Sequence, residues 1–564
     1  MEADEKIENQ LNLALELSPA EREKALDLNV GYDERLKQWE VIFQYVGDFE
    51  QLNLPKGVEI EPLSEGYAIA FVKENLLEAF SRLEQILFIE KPKALLLSRQ
   101  QGIAASCMLS VKNRPLDLNG EGVLIAVIDT GIDIFHPDFR KENGTTKIVS
   151  LWDQSIPGNP PSPFTIGTVY SEEEINQALQ EGRRSERIKS RDFSGHGSHV
   201  ASICAGNNGV APQAELLIVK LGREGDFPRT TQLMMAVQYV IDFAQSAGKP
   251  LAINISYGHN YGDHRGNSLL ETFLSKVVGQ WKSVCCIGTG NEGDTARHRQ
   301  GKVHNQEEEI LFDIAPEEPD MNLQLWKDFA DQFEMTLTAP SGRSHSIVNQ
   351  PGKTEYSYGD TTVYLYNGLP TPYNVRQEIY FAFVPLADEI QSGQWSLRLK
   401  PKRIVSGEYQ MWLPVSAGSN RQTGFLEPSK TLTLTIPSTA DNVLSVGAYN
   451  VRYRSYAEFS GRGDERLCVA KPDVVAPGVG VLGAAPGGGE NIMSGTSMAT
   501  PFVTGAAALM MEWGIVRGND PYFYGERVKA YLHHGARKMP GFEIYPNDQV
   551  GYGALCVSES LPMR

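Results

Sequence analysis

A chain of 564 residues is longer than one ordinary domain and implies two to four of them. Hydrophobic residues make up 41%, enough for large cores, and a formal charge of −18 repels phosphate backbones, so nucleic acid is not an expected partner. Six cysteines (Cys107, Cys204, Cys285, Cys286, Cys468 and Cys556) form no CxxC pattern, which argues against a disulfide framework or a zinc site. Cys285 and Cys286, adjacent inside an apolar run, suit buried free thiols.

The chain opens MEADEKIENQ, acidic and without an apolar signal core, so the expectation is cytoplasmic synthesis without a signal peptide. Residues 1–100 read as a separate α+β unit. Ser18-Pro19-Ala20-Glu21 has capping-box form ahead of a short helix. Strands are expected over Val41–Val46, Val58–Glu61, Tyr67–Val72 and Ile86–Glu90, and a helix over Asn75–Leu83 with Leu76, Leu77, Phe80 and Leu83 on one face. This unit is compatible with a propeptide or with an unrelated N-terminal domain. Beyond it, Lys91–Gln101 lacks a turn signal, so an extended tail is expected there.

From residue 120 the pattern becomes α/β. Continuous apolar runs at Val123–Ile128, Glu215–Val219, Leu251–Ile255 and Val284–Ile287 suit strands buried on both faces. Helical stretches at Ser198–Ala205 and Thr231–Ala244 alternate with them, which implies a parallel sheet. The first run ends at Asp129-Thr130-Gly131, an acid at the carboxyl end of a strand, where sites gather in open α/β sheets; taken alone, it is equally a helix cap. Asp192-Phe193-Ser194-Gly195-His196-Gly197-Ser198-His199 flanks His196 with glycines, so backbone and substrate can approach closely. The His196/His199 spacing lacks the carboxylate of an HExxH metal motif, so His196 reads as a base and His199 as a packed helix residue. Gly288-Thr289-Gly290-Asn291-Glu292-Gly293 follows the fourth run. Its Asn amide can donate to an oxyanion, or the segment is an ordinary turn.

Between 301 and 435 the period changes to two. Phe333, Met335 and Leu337 alternate with polar neighbours, as do Trp395, Leu397 and Leu399, and then Tyr409, Met411 and Leu413. That is an antiparallel β-sandwich inserted into the α/β pattern, which resumes near Asn442. Ser494-Gly495-Thr496-Ser497-Met498-Ala499-Thr500-Pro501 then opens an Ala-rich helix. Ser497 near its N-terminus gains from the local positive potential, though a capping role alone would also place a Ser there. Met498–Val516 is the most membrane-like stretch; with Pro501 and Glu512 inside it, a buried core helix is expected and no membrane span.

Together these segments resemble the subtilase family, in the order Asp, His, Asn, Ser. The resemblance covers 105–300 and 436–564. It implies a catalytic triad of Asp129, His196 and Ser497 and an oxyanion hole made by Asn291 with the Ser497 N–H. It also implies substrate binding along Ser256-Tyr257-Gly258 and Gly288-Thr289-Gly290. Asp129 and His196 lie further apart than in compact subtilases, and the β-rich insert separates Asn291 from Ser497. After the His196 helix, Ala205–Pro212 runs straight into the next strand, so the loop that carries a tight calcium site in many secreted subtilases is missing. No metal and no cofactor are expected.

Leu28-Asn29-Val30-Gly31-Tyr32-Asp33, the signal-less core and the inserted sandwich are similar to the clostridial spore-germination subtilases, the Csp group. The implied fold is a subtilisin-like parallel-sheet core (101–300 and 436–564) with an N-terminal α+β propeptide domain (1–100) and an inserted all-β, jelly-roll-like domain (301–435). The implied function is limited proteolysis that activates a zymogen of a spore-cortex hydrolase, by an enzyme incorporated into the spore. Two other readings stand beside it: a general intracellular protease, and a non-catalytic germination regulator that binds a partner through its sandwich. Autocleavage is expected within Ser98, Arg99, Gln100, Gln101 and Gly102 or as far as Ala105, behind Leu95, Leu96 and Leu97, with the released propeptide retained non-covalently.

Overall fold

The computed structural model describes residues 5–17, 28, 30–33, 36–47, 54–93, 98–222, 227–464 and 469–562. The chain divides into two units, Met1–Leu97 and Ser98–Arg564.

The first unit is an antiparallel sheet in the order Tyr32–Asp33, Gln38–Tyr45, Tyr67–Lys73, Glu59–Pro62, with Ile86–Glu90 also pairing to Gln38–Tyr45. Alternation puts Trp39, Val41, Phe43, Ala68, Ala70 and Val72 on one face, where Leu11, Ala14, Leu77 and Phe80 close the core. The strands fall where the sequence places them. A helix not expected from the sequence, Asn9–Glu16, forms because Ile7, Leu11 and Ala14 recur at helical spacing and bury together. The expected capping box at Ser18 lies outside the described residues, as do Asn29, Leu95, Leu96, Leu97 and Cys468. The helix read over Asn75–Leu83 is a 3-10 turn, Glu74–Leu76, followed by Leu77–Ser81.

The second unit is built on a nine-stranded, mostly parallel sheet. Its order is Ser455–Tyr456, Leu444–Asn450, Ser283–Gly288, Leu251–Ile255, Leu124–Asp129, Glu215–Lys220, Ile148–Asp153, Thr168–Ser171, with Val474–Pro477 also paired to Leu444–Asn450. The apolar runs are continuous because both faces are covered. Ile125 and Val127 pack with the helices His196–Ala205 and Thr496–Met511, while Leu124, Ala126 and Ile128 pack with Thr230–Ala247 and Leu269–Val277. The membrane-like stretch is the helix Thr496–Met511, buried along its length, with Glu512–Val516 as a closing turn.

The insert forms two antiparallel sheets. One runs His298–Lys302, Glu408–Trp412, Met321–Asp328, Arg376–Pro385, Thr361–Asn367, Gly352–Ser357; the other runs Ser344–Ile347, Gln332–Thr338, Gly393–Arg403, Glu308–Ile314, Gly424–Phe425. Phe312, Leu323, Leu325, Phe333, Phe381, Phe383, Trp395 and Leu397 from both sheets share one core. The sandwich is seated on the α/β part. Trp412 stacks on His264 and His298 with ring centroids 4.3 and 4.9 Å away. Gln324 accepts from the Gly262 N–H at 2.9 Å and donates to the Asn260 carbonyl at 3.0 Å.

Two expectations are corrected here. The stretch Ser98–Ala105 is a helix and not an extended tail. Ile103 joins the main core, and Gly102 lies so close to the Phe502 ring that a Cβ would come within 2.4 Å of it. Burial against the core therefore decides a conformation that the local sequence left open. Cys107 and Cys556, 449 positions apart, are disulfide-bonded with Cα atoms 4.8 Å apart. Spacing could not suggest that bridge, because folding brings together the two ends of the second unit. Cys204, Cys285 and Cys286 are buried free thiols, as expected of the last two.

Candidate active site

The carboxyl ends of the central strands assemble the site. Asp129 ends the strand Leu124–Asp129 and is 1% exposed. Its Oδ1 accepts from the Thr130 N–H at 2.8 Å and lies 2.6 Å from Nδ1 of His196. His196 is the first residue of its helix, entered through Gly195 at φ 75°, a left-handed backbone that favours glycine. Gly197 fits for a different reason: a Cβ there would sit 2.1 Å from the Gly131 carbonyl oxygen. The helix therefore docks against the turn that follows Asp129, which brings acid and imidazole together.

Beneath this contact lies Asp192, 5% exposed. It accepts from the N–H groups of Gly195 (2.9 Å) and Ser198 (2.8 Å) and from the hydroxyls of Ser198 (2.7 Å) and Thr130 (2.8 Å). Thr130 in turn accepts from the Gly197 N–H at 2.9 Å. Asp192 thus caps the histidine helix and ties it to the Asp129 turn. Asp192 carries no role in the sequence alone beyond its signal, an acid just ahead of a Gly-flanked helix start. Burial works to lower the His196 pKa, but the Asp129 charge, its hydrogen bond and the Asp192 charge outweigh it and raise the net value.

His199 is fully buried one turn on, with Nε2 3.1 Å from each of the Val481 and Asn491 carbonyls, a packed helix residue as expected. Among the described residues no cluster of three or more His, Cys, Asp or Glu side chains is arranged to hold a metal ion.

Ser497 stands in the first turn of Thr496–Met511, where a backbone N–H has no intrahelical acceptor and stays free for a substrate oxygen. Pro501 lies inside the same helix and removes the donor that would cap the Ser497 carbonyl. Asn291 faces this turn. Its Oδ1 accepts from the Thr496 N–H at 3.0 Å and from the Thr496 hydroxyl at 3.3 Å. That pairing fixes the amide orientation and leaves Nδ2 as a donor. Gly290, at φ 84°, donates its N–H to the same Thr496 hydroxyl at 3.1 Å.

Ser497 and Asn291 share a cleft of about 730 Å³ with Ser256, Tyr257, Gly258, Gly288 and Gly290, all expected there. Thr289 is the exception and is corrected: it is fully buried, its N–H donates to the Val446 carbonyl at 3.0 Å, and its hydroxyl lies 3.4 Å from that of Ser460. It shapes the wall from behind. The cleft also holds residues that sequence reasoning missed. Val415, Ser416, Ala417 and Arg421 come from the loop that joins the sandwich strands Glu408–Trp412 and Gly424–Phe425, and Thr435 from the return to the core. Only packing of the insert on the core could reveal them. Of the segment expected to be autocleaved, Gln100, Gln101 and Gly102 lie in the helix Ser98–Ala105 together with the backbone of Ser98 and Arg99.

Fold and geometry define a class: a histidine–aspartate couple at the carboxyl end of a parallel α/β sheet, with a serine at a helix N-terminus and an asparagine amide sharing one cleft. The chain matches the subtilase family over residues 120–311 and 387–553, and the Csp protease B prodomain over 5–93. This chain belongs to the subtilase family. It is 36% identical to the CspB protease of Clostridium perfringens, with a TM-score of 0.75 over 81% of this chain and 96% of that one. It is 21% identical to the minor extracellular protease Vpr of Bacillus subtilis over 79% of this chain, and 24% identical to a PI-type proteinase of Lactococcus lactis over 73%. The aligned parts are 52% and 23% of those relatives, so the chain spans about half the length of the first and about a quarter of the second.

Proposed function

We propose that this chain is an active serine endopeptidase performing limited proteolysis. The observation that carries the reading is the 2.6 Å Asp129–His196 contact, together with the cleft that Ser497 and Asn291 share. In this mechanism Nε2 of His196 takes the Ser497 proton as Oγ attacks the scissile carbonyl. Asp129 holds the Nδ1–H and stabilises the imidazolium that forms. Nδ2 of Asn291 and the Ser497 N–H receive the oxyanion. His196 then protonates the leaving amine, and a water repeats the sequence on the acyl-enzyme.

The physiological substrate in this reading is the zymogen of a spore-cortex hydrolase, cut during germination. The prodomain match and the likeness to the C. perfringens CspB protease support that choice. The N-terminal unit acts as a propeptide, cut from the core and retained non-covalently. Synthesis in the cytoplasm is followed by incorporation into the spore; the Cys107–Cys556 bridge suits a final place outside a reducing cytosol.

A fluorophosphonate probe tests the chemistry and a purified cortex-hydrolase zymogen tests the role. Wild type is expected to take up the probe at Ser497 and shorten the zymogen, and Ser497→Ala to do neither. No labelling of a folded wild type sinks the peptidase reading. Labelling without zymogen cleavage sinks the germination role alone.

A further inference from the structure

One outer face of the sandwich carries rings where an antiparallel sheet ordinarily turns polar side chains to water. In the neighbouring strands Met321–Asp328, Arg376–Pro385 and Thr361–Asn367, the odd-numbered residues Leu323, Leu325, Leu365, Ile379 and Phe381 fill the core. Their even-numbered neighbours point the other way. Register puts Gln324, Tyr380 and Tyr366 in one row across the three strands, and Trp326 beside Glu378 in the next. Tyr261 reaches the same place from the α/β part, held there by the two bonds of Gln324 to Asn260 and Gly262 on either side of it. These side chains line an open groove of about 510 Å³. Tyr366 is 58% exposed and Tyr261 49%. Among the described residues no aliphatic side chain lines the groove, and Glu378 is its charged group. The Glu378 carboxylate makes no hydrogen bond or ion pair with a described residue, and burial is what raises its pKa.

A pyranose ring has an apolar face of C–H groups and a rim of hydroxyls. Aromatic rings cover the first, and a carboxylate accepts from the second in a charge-assisted bond. We propose that this groove binds a neutral polysaccharide, an extended β-1,4-linked chain whose sugar rings lie in one ribbon and so match a flat sheet face. It shares no lining residue with the Ser497 cleft, and its role goes beyond the peptidase reading. A polyanion is disfavoured by Glu378 and by the chain's charge of −18. An extended peptide adds to a sheet edge, but Arg376–Pro385 is paired on both sides. A proline-rich helix also docks on aromatic grooves, yet its carbonyls need donors. Here the Trp326 indole N–H is buried, the Gln324 amide donates to Asn260, and the charged group only accepts.

Calorimetric titration of the full chain with cellohexaose and with chitohexaose tests this. At least one of the two is expected to bind saturably. Tyr366→Ala removes the most exposed ring of the groove, and Glu378→Gln keeps the size and loses the charge. Each is expected to weaken binding about five- to tenfold. Ser497→Ala should bind as wild type does, so the result is judged apart from the peptidase reading. Failure of both sugars to bind the folded chain overturns the proposal, and so does an affinity that neither groove variant changes. Binding of a proline-rich peptide in place of both sugars assigns the groove to a peptide and overturns it as well.

Discussion

The carboxylate of Glu292 accepts from the backbone N–H of Ser416 at 3.1 and 3.2 Å and from its hydroxyl at 2.9 Å. Glu292 follows Asn291, the proposed oxyanion donor, in the chain, and Ser416 sits in the loop between the sandwich strands Glu408–Trp412 and Gly424–Phe425. The insert is thereby tied to the turn that must hold Asn291 still. Glu292→Ala leaves the Ser416 N–H without its acceptor, at a cost of about 1–3 kcal/mol if it stays buried. Turnover is expected to fall about tenfold, equivalent to about 1.4 kcal/mol of transition-state stabilisation. Ser416→Ala keeps the backbone bond and should lose less. Steady-state kinetics on both variants check this, and wild-type turnover in Glu292→Ala would show that the contact does not reach the site.

In the proposed mechanism Asn291→Ala removes one of two oxyanion donors and leaves the nucleophile and base in place. A drop in kcat of about 10²–10³ is expected. KM should change little, because the bond strengthens as charge develops. A loss confined to KM would assign Asn291 to ground-state binding instead.

The raised pKa of His196 sets a pH dependence. Only neutral imidazole can take the Ser497 proton, so kcat/KM should be present at high pH and fall as pH drops through a value above the ordinary 6.5. Asp192 contributes to the rise, and Asp192→Asn is expected to move this limb to lower pH. In stability the sign is opposite: a raised histidine pKa favours the folded state fully below 6.5, and that contribution is lost as pH rises through the folded value. A pH–rate profile in which Asp192→Asn leaves the limb unmoved would argue against the electrostatic role.

His264 and His298 flank Trp412 at the seam of the insert, and burial pushes both pKa values down to about 4. Both lie below the ordinary 6.5, so the unfolded chain binds more protons between those values. Stability is therefore full above about 6.5 and declines as pH falls toward 4. His298→Gln, which cannot take up the proton, is expected to flatten that decline. Thermal midpoints between pH 7 and pH 4 measure it, and limited proteolysis should show the insert becoming cuttable at the acid end.

Maturation is open to mass spectrometry. Wild type is expected to separate into two pieces cut within Ser98–Ala105, and Ser497→Ala to remain whole. Subtilase clefts bind extended peptides by strand addition, so the helix seen at Ser98–Ala105 must unwind to be cut and can re-form afterwards against Phe502. An intact wild type, or an equally cut Ser497→Ala, rules out autocleavage.

The parallel core was legible in the sequence because a strand covered on both faces must be apolar throughout. Leu251–Ile255 and Ile86–Glu90 fall where the residues alone put them, and the period-two runs of the insert did the same for Gln332–Thr338. The places of Asp129 at a strand end, of His196 and Ser497 at helix starts and of Asn291 after a strand were legible because each stands in a short glycine-containing segment that interrupts an apolar run. Tertiary structure alone decided what joins distant segments. The Cys107–Cys556 bridge, the Asp192 cap on the Thr130 turn, the Glu292–Ser416 tie and the place of Thr435 between Gly258 and Gly290 involve partners 62 to 449 positions apart, except for the local half of the Asp192 cap. The Ser98–Ala105 helix belongs with them in part: Arg99, Gln100, Gln101, Ala104 and Ala105 favour a helix, Gly102 opposes it, and its close approach to Phe502 is a tertiary contact. Periodicity reports which face of an element is buried; it carries no information about which distant residue will cover it.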